Sequence, residues 1–299
     1  ISLRLIINSK RFYFPFILIL GIFSLGLSSI IFRLMDAPSL VVASFRMMGA
    51  SFVLLPFCFS EIASTWKTMT FREKKVLILS SIVLGIHFFV WFESLKHTSI
   101  ANSVVLVTLN PLFVSLGAYF FLNEKESKEL WIGIFITTIG VILICIEDFN
   151  YWETKKLYGN FLALVGGLMF SIYLLAGRSL RVSVPFMPYI TLCYGLSGLF
   201  LFFLLLLTGF PSMTYSSHFY SQLVLMILIP TLVGHTVINY ALRKITSGKV
   251  AFCILGEPCV AIVLGAIILN ELVSFKEIFF VSIILVGVVV GVRKNVMSI

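Results

Sequence analysis

Charged side chains are scarce in this chain. Asp, Glu, Lys and Arg make up 12% of its 299 residues, whereas 60% of the residues are hydrophobic and 30 are phenylalanine. About a quarter of the residues of a soluble domain are charged. Together with a mean hydropathy of +1.08, this composition excludes a soluble globular fold and predicts an all-α integral membrane protein that crosses the bilayer many times.

Motifs of metal sites and hydrolytic enzymes are missing as well. The five cysteines all lie in apolar segments, with no Cys-x-x-C pair and no histidine at ligand spacing: Cys58, Cys145, Cys193, Cys253 and Cys259. We expect them to be small hydrophobic side chains. No H-E-x-x-H, G-x-S-x-G or membrane-embedded Asp pair occurs, which argues against a lipid-modifying membrane enzyme. We predict no metal, no cofactor and no enzymatic activity.

The net charge of +9 does not predict a nucleic-acid partner, because the basic residues stand singly between apolar runs.

Apolar runs long enough to cross a bilayer are abundant. A membrane helix needs about 20 predominantly apolar residues. Ten runs qualify, at 14–32, 39–59, 76–95, 100–122, 130–147, 159–177, 186–209, 222–242, 248–269 and 277–293. We therefore predict ten transmembrane helices.

The distribution of basic residues predicts the orientation. With the N-terminus inside, sixteen of the 22 Lys and Arg residues fall on the inner side and five on the outer side, and Arg46 lies within the second helix. Cytoplasmic loops are the ones that carry such an excess. Both termini are therefore expected in the cytoplasm, and the chain is expected in the inner (plasma) membrane.

The chain contains two copies of one unit, offset by 147 positions. The matching pairs are Asn110 with Glu257, Pro111 with Pro258, Asn123-Glu124 with Asn270-Glu271, and Gly140 with Gly287. Five helices per copy is an odd number, so the second copy enters the membrane in the opposite orientation. We predict two inverted five-helix repeats, 1–147 and 159–299, joined by an external linker at 148–158. Secondary transporters use such repeats to build a midplane site.

The two matching prolines predict helix breaks inside the membrane. Proline lacks a backbone donor and clashes with the carbonyl four residues back, here those of Val107 and Ile254. Such breaks are tolerated where neighbouring helices, water or a ligand satisfy the freed groups. Pro111 and Pro258 are therefore expected to lie at the site.

Two ionisable residues, Arg46 and Glu257, lie near the middle of predicted helices. Each costs about 2.5–3.5 kcal/mol to insert at that depth, which makes them functional candidates. They could form a structural ion pair with each other. Alternatively, Glu257 could bind a substrate amine or a proton, because a carboxylate removed from water takes up a proton more readily, and Arg46 could bind a substrate carboxylate.

Other polar and aromatic residues could complete a substrate site. The candidates are His87, Trp91, Asn110, His235, Asn239 and Tyr240; Trp91 and Asn239 each follow a histidine by four residues and share its helix face. Each histidine could instead simply donate to a neighbouring group. Phe88, Tyr173 and Tyr194 are expected to be packing residues. Glu124 and Glu271 are each expected to orient a loop or cap the next helix. The paired glycines of helices 5 and 10 are expected to allow close helix contact within one repeat or between molecules: Gly133, Gly140, Gly287 and Gly291.

Three segments carry a family resemblance: "LVVASFRMMGA" around Arg46, "FESLKHTSIANSVVLVTLNPLF" followed by "LNE", and "NYALRKITSGKVAFCILGEPCVAIVLGAIILNE". The chain resembles the drug/metabolite transporter superfamily, in particular its ten-helix EamA-type exporters. The first helix departs from that pattern, because it lacks a Trp-Gly pair. The resemblance implies two inverted five-helix repeats, a central cavity and proton-linked or exchange transport of amino acids or related metabolites.

The favoured function is thus secondary transport of a small polar metabolite, with amino acids or their derivatives as the expected substrates and protons as the candidate coupling ion. Import or exchange of a nucleoside-like compound such as S-adenosylmethionine is the alternative. A lipid enzyme and a non-catalytic receptor or channel fit the residues less well. The sequence does not define the oligomeric state.

Overall fold

The structure, a computed structural model, describes residues 2–150, 154–180, 183–209, 214–271 and 274–292. Within these ranges the chain is helical, with short connections and no strand. The helices are α1 Ser2–Arg33, α2 Ser39–Leu54, α3 Phe59–Thr68, α4 Phe71–Leu95, α5 Ile100–Val107, α6 Asn110–Leu122, α7 Lys128–Asn150, α8 Thr154–Leu180, α9 Phe186–Leu207, α10 Ser217–Met226, α11 Thr236–Ala241, α12 Ser247–Ile254, α13 Glu257–Ile268 and α14 Phe275–Val292. A 3₁₀ turn at Leu55–Phe57 follows α2, and a π-helical segment, Ile227–His235, joins α10 to α11.

Eight segments of the described chain are long and apolar enough to cross a membrane. They coincide with eight of the ten predicted runs and are Tyr13–Arg33, Ser39–Phe57, Phe71–Leu95, Ile100–Leu122, Thr154–Leu180, Phe186–Leu207, Ser217–Ala241 and Ser247–Ile268. The other two predicted runs, 130–147 and 277–293, fall on α7 and α14, which pack against each other. Large side chains such as Phe121 and Phe275 are exposed, as expected on faces that contact lipid. The protein is therefore a multi-pass membrane protein.

Both predicted breaks are present. The fourth apolar segment divides into α5 and α6 just before Pro111, and its counterpart divides into α12 and α13 just before Pro258. The carbonyl of Val107 faces Gly167 of α8, where a methyl group would come within 2.6 Å of that oxygen. A glycine is needed there because a larger side chain could not approach the freed carbonyl so closely.

The Leu-Asn-Glu sequences end α6 and α13 in the same way. Asn123 and Asn270 have positive φ angles of 53° and 55°, a left-handed conformation that asparagine tolerates better than most residues. The amide of Glu124 then donates to the carbonyl of Ala118 at 3.1 Å, and the amide of Glu271 to that of Gly265 at 3.2 Å. Hydrogen bonds from an amide to the carbonyl six residues earlier are typical of the Schellman motif that ends many helices. The Asn residues therefore turn the chain and set the position of the glutamates that follow.

The two halves of the chain pack across each other. Helix α1 packs against the π segment and α13, whereas α8 packs against α4, α5 and α6. Helix α2 packs against α9, and α7 against α14. The first helix of each half thus contacts the third and fourth membrane segments of the other half.

Glycines line the contact between α7 and α14. A methyl group at Gly133 would lie 2.7 Å from the carbonyl oxygen of Gly287, and one at Gly140 would lie 2.8 Å from Ile284. The prediction that these glycines allow close helix contact is confirmed. The contact joins the two halves of one molecule, rather than helices of one repeat.

The predicted linker is only partly described. Residues 148–150 continue α7 and residues 154–158 begin α8, whereas residues 151–153 lie outside the described residues.

Candidate functional site

A small cavity lies where α5 and α12 end. It is lined by His87, Trp91, Val107, Phe170, His235, Ile254 and Glu257. Its volume of about 10 Å³ is the space of one water molecule. The cavity is therefore too small to hold a metabolite in this structure.

Glu257 is the acidic residue in the described lining of this cavity. It is the first residue of α13 and is only 6% exposed. The helix N-terminus stabilises a carboxylate at that position. Among the described residues, no salt bridge joins Glu257 to a basic side chain, which leaves its carboxylate facing the cavity.

His87 forms one aromatic wall. Its Nδ1 atom lies 2.9 Å from the carbonyl oxygen of Gly166. Because a carbonyl only accepts, Nδ1 carries the proton and neutral His87 keeps Nε2 as an acceptor. The ring stacks on Phe170 at 4.8 Å and on Trp91 at 5.8 Å between centroids. The sequence thus placed His87 and Trp91 correctly on one face.

Two polar atoms of the lining have no hydrogen-bond partner within the described part of the chain: the indole Nε1 of Trp91 and Nδ1 of His235. The His235 ring packs nearly perpendicular to the rings of Phe88 and Phe170, with 4.9 Å and 5.7 Å between centroids. Buried polar groups in native proteins are nearly always paired. These two atoms are available to a bound ligand.

Arg46 is fully buried beside the cavity but does not line it. Its Nε donates to Thr231 Oγ1 at 2.7 Å and its Nη1 donates to Ser28 Oγ at 2.9 Å. The guanidinium carbon lies 4.1 Å from the centre of the Phe88 ring, a cation–π contact. The described salt bridges do not include an ion pair between Arg46 and Glu257, which was one of the alternatives left open by the sequence.

The π segment explains the position of Thr231. Pro230 cannot donate to the carbonyl of Met226, four residues back, and the hydroxyl of Thr231 donates to that carbonyl instead at 2.9 Å. The same hydroxyl accepts from Arg46. One side chain therefore repairs the proline break and holds the buried cation. π-Helical turns are rare and often occur at functional sites.

Asn239 lies in a buried polar network next to the cavity. Its Nδ2 donates to the carbonyl of His235 at 2.8 Å and to the Tyr194 hydroxyl at 3.3 Å, and its Oδ1 accepts from the Tyr173 hydroxyl at 2.7 Å. The expected proximity of Asn239 to His235 is confirmed, but Asn239 does not line the cavity. Tyr173 and Tyr194, expected to be packing residues, are also members of this network.

Two predicted site residues lie elsewhere. Tyr240 is 37% exposed and contacts the rings of Phe14 and Phe186, because it lies on the opposite face of its helix from the site. Asn110 is fully buried at the start of α6, and neither amide atom has a hydrogen-bond partner among the described residues, but it is not part of the lining.

Phe170, Thr231 and Ser28 were not singled out from the sequence. Phe170 is one of 30 phenylalanines and carries no distinguishing pattern. A threonine directly after Pro230 within an apolar run was a detectable signal for the proline repair.

Comparisons with known proteins agree with this architecture. The model of the EamA-like transporter family matches residues 14–146 and 157–293. An uncharacterised transporter of Archaeoglobus fulgidus is 23% identical over 86% of this chain and 89% of its own length. An S-adenosylmethionine uptake transporter of Rickettsia felis is 33% identical over 38% of each chain. A solved crystal structure shares the fold, with a TM-score of 0.69 and 15% identity over 95% of this chain and 97% of its own. The chain belongs to the EamA-like transporter family.

Proposed function

We propose that this protein is a secondary active transporter that moves a small polar metabolite across the inner membrane by alternating access. In this proposal ten helices form two inverted five-helix repeats, 1–147 and 159–299, with both termini in the cytoplasm. The antiparallel course of the two broken helices and the crossed packing of α1 and α8 support it. The cavity lies where both helices break, as at the midplane sites of other transporters.

The single observation that carries the proposal is Glu257, a buried carboxylate in an aromatic cavity. Aromatic rings attract a cation across their faces, and the carboxylate balances its charge. The proposed substrates are therefore amino acids or derivatives whose amine binds Glu257, in export or exchange. A proton competes for the same carboxylate and drives the return of the empty site.

Arg46 is proposed to act on the substrate only indirectly. Its Nε and Nη1 are bound to Thr231 and Ser28, and it does not line the cavity. The observed contacts favour a role in holding α2 against α1 and the π segment. They do not support the idea that Arg46 binds the substrate carboxylate in this conformation.

A nucleoside-like substrate such as S-adenosylmethionine is the second candidate. The relative of Rickettsia felis carries that function in its name. A sulfonium cation could bind Glu257, and the stacked rings of His87, Trp91 and Phe170 could hold a purine.

Thermal shift and transport measurements test both candidates. Purified protein is screened against amino acids, nucleosides and S-adenosylmethionine at two pH values, since a ligand at 100 times its dissociation constant adds about 2.7 kcal/mol to stability. Transport of the stabilising ligand is then measured in proteoliposomes for wild type, Glu257→Gln and the exposed control Glu61→Gln. We expect Glu257→Gln alone to lose transport or its pH dependence. Unchanged transport with an unchanged pH profile in Glu257→Gln would refute the role of this carboxylate.

A further inference from the structure

Two matching ion pairs lie at opposite ends of the broken helices. The first, named here the Glu124 latch, consists of Glu124, Arg178 and Ser247. Arg178 Nε lies 2.7 Å from Glu124 Oε1, and the other carboxylate oxygen accepts from the amide of Ser247 at 3.0 Å and from its hydroxyl at 2.7 Å. Arg178 also donates to the carbonyl of Leu242. The carboxylate thus binds the N-terminus of α12 and the end of α8.

The second, named the Glu271 latch, repeats this arrangement with Glu271, Arg33 and Ile100. Arg33 Nη2 lies 3.5 Å from Glu271 Oε1, and the amide of Ile100 donates to Glu271 Oε2 at 3.4 Å. Arg33 also donates to the carbonyl of Thr98 at 2.7 Å. This carboxylate binds the N-terminus of α5 and the end of α1. In each latch, a glutamate from one half of the chain holds two elements of the other half.

The latches lie at opposite ends of the two broken segments, with the cavity between them. The α5–α6 segment begins at the Glu271 latch and ends at the Glu124 latch, and α12–α13 runs in the reverse direction. A membrane helix of about 23 residues spans about 35 Å. Val107 and Ile254 of the cavity lie where these two segments break, between the two latches.

We propose that Glu124 and Glu271 are the gating residues of the transport cycle. Each latch keeps its own end of the cavity closed, and the cavity opens to one side when that latch breaks while the other remains formed. The inference rests on the proposed alternating-access function and adds the groups that control it. In this proposal the structure, with both latches formed, is the state in which neither end is open.

The two latches differ in strength. The Glu124 ion pair is shorter, 2.7 Å against 3.5 Å, and the Glu124 side chain is 13% exposed whereas that of Glu271 is 30% exposed. Burial would by itself raise the pKa of Glu124, but the hydrogen bonds from Ser247 and the charge of Arg178 outweigh it and hold this pKa below its ordinary value. The carboxylate is therefore ionised at neutral pH. The Glu271 end should open more readily in wild type.

A purely structural role is the competing explanation, because both glutamates also act as helix caps. Loss of a cap would weaken folding without favouring one side of the membrane. Loss of a gate would change the side from which the cavity is reached. The two explanations are therefore distinguished by the side of the membrane from which the cavity is reached, and not by the stability of the variants.

The experiment measures labelling of a cavity cysteine from each side. The five native cysteines are replaced by serine or alanine and Val107→Cys is introduced as the reporter. A membrane-impermeant maleimide is applied to right-side-out and to inside-out vesicles. The reporter protein is compared with versions that also carry Glu124→Gln, Glu271→Gln or the exposed control Glu61→Gln.

We expect opposite effects of the two latch variants. Glu271→Gln should raise the labelling rate roughly fivefold or more from the Glu271 side and lower it from the other, and Glu124→Gln should do the reverse. Glu61→Gln should match the reporter protein. Equal changes from both sides, changes in the same direction for both variants, or no change would overturn the proposal.

Two further measurements keep the result interpretable. If a glutamine variant does not fold, Arg33→Gln and Arg178→Gln break the same latches from the other partner and must give the same sidedness. The labelling needs no substrate, so it is independent of the transport assay on Glu257→Gln. If the protein transports a screened compound but labelling does not differ between the two sides of the membrane, the gating proposal alone is wrong. If labelling differs between the two sides but no screened compound is transported, the proposed substrates alone are wrong.

Discussion

The Thr231 hydroxyl links the proline break of the π segment to the buried guanidinium, and we predict that Thr231→Val destabilises the protein. Valine has nearly the same shape but cannot form either hydrogen bond. The lost bonds are the one from Arg46 Nε at 2.7 Å and the one to the carbonyl of Met226 at 2.9 Å.

The magnitude follows from the two partners. A hydrogen bond to a charged group contributes about 1.5–3 kcal/mol, and a neutral one between membrane helices averages about 0.6 kcal/mol. Thr231→Val should therefore lower the free energy of unfolding by about 2–4 kcal/mol. Thr231→Ser keeps the hydroxyl and loses one methyl group, so it should cost less than about 1 kcal/mol.

The assay is unfolding of the purified protein in mixed micelles with a rising fraction of a denaturing detergent, followed by helical circular dichroism. Wild type, Thr231→Val and Thr231→Ser are compared under the same conditions. A valine variant within about 0.5 kcal/mol of wild type, or a serine variant as unstable as the valine variant, would refute the argument that the hydroxyl carries the stability.

Three further predictions concern the glycine contact, the cavity and a loop carboxylate. Gly133→Ala should destabilise the protein by about 1–3 kcal/mol, because the new methyl group would lie 2.7 Å from a carbonyl oxygen of α14. Gly265→Ala is the control: its methyl group would have its nearest neighbour at 3.8 Å, so it should be neutral or stabilising. Equal unfolding transitions for the two variants would contradict this prediction. Trp91→Phe should leave the stability of the ligand-free protein unchanged or raised, because it removes an unpaired buried donor. It should weaken substrate binding about 2–10-fold in a thermal-shift titration. Undiminished affinity would show that the indole N–H does not contact the substrate. Burial, together with the charge of Glu124, raises the pKa of Glu126, so this carboxyl contributes stability below the pKa of an ordinary glutamate and loses that stability as the pH rises through the raised pKa. Glu126→Gln should therefore be more stable than wild type at neutral pH and equally stable at about pH 4. A constant difference in stability across the pH range would contradict this sign.

Much of the fold could be predicted from the sequence because its signals are local. Apolar runs bounded by polar residues predict the eight membrane segments of the described chain to within about five residues, and Pro111 and Pro258 mark the two breaks. Helix α1, however, begins well before its predicted run, and α3 was not predicted. Prolines act through their own backbone, so no knowledge of neighbouring helices is needed. The prediction that Glu124 and Glu271 cap the next helix is wrong, because their carboxylates bind the N-termini of α12 and α5 in the other half of the chain.

The site was predicted less well because helix faces are hard to distinguish in a membrane protein. In a soluble helix the polar face identifies the buried one, but here lipid-facing and buried positions are both apolar. Tyr240 was therefore assigned to the site although it lies on an outer face, and Phe170 was not selected. The contacts of Arg46 with Ser28 and Thr231 depend on the packing of three separate helices, which no local pattern contains.

The single carboxylate in the described lining of the cavity has an electrical consequence. If Glu257 carries a monovalent cation in one direction and a proton in the other, one positive charge crosses each way and no net current flows. Membrane voltage, which is worth about 2.3 kcal/mol per charge for each 100 mV, would then neither drive nor oppose the exchange. The pH difference and the substrate gradient would set its direction. A zwitterionic amino acid, which has no net charge, or a divalent substrate would make the same protein sensitive to voltage.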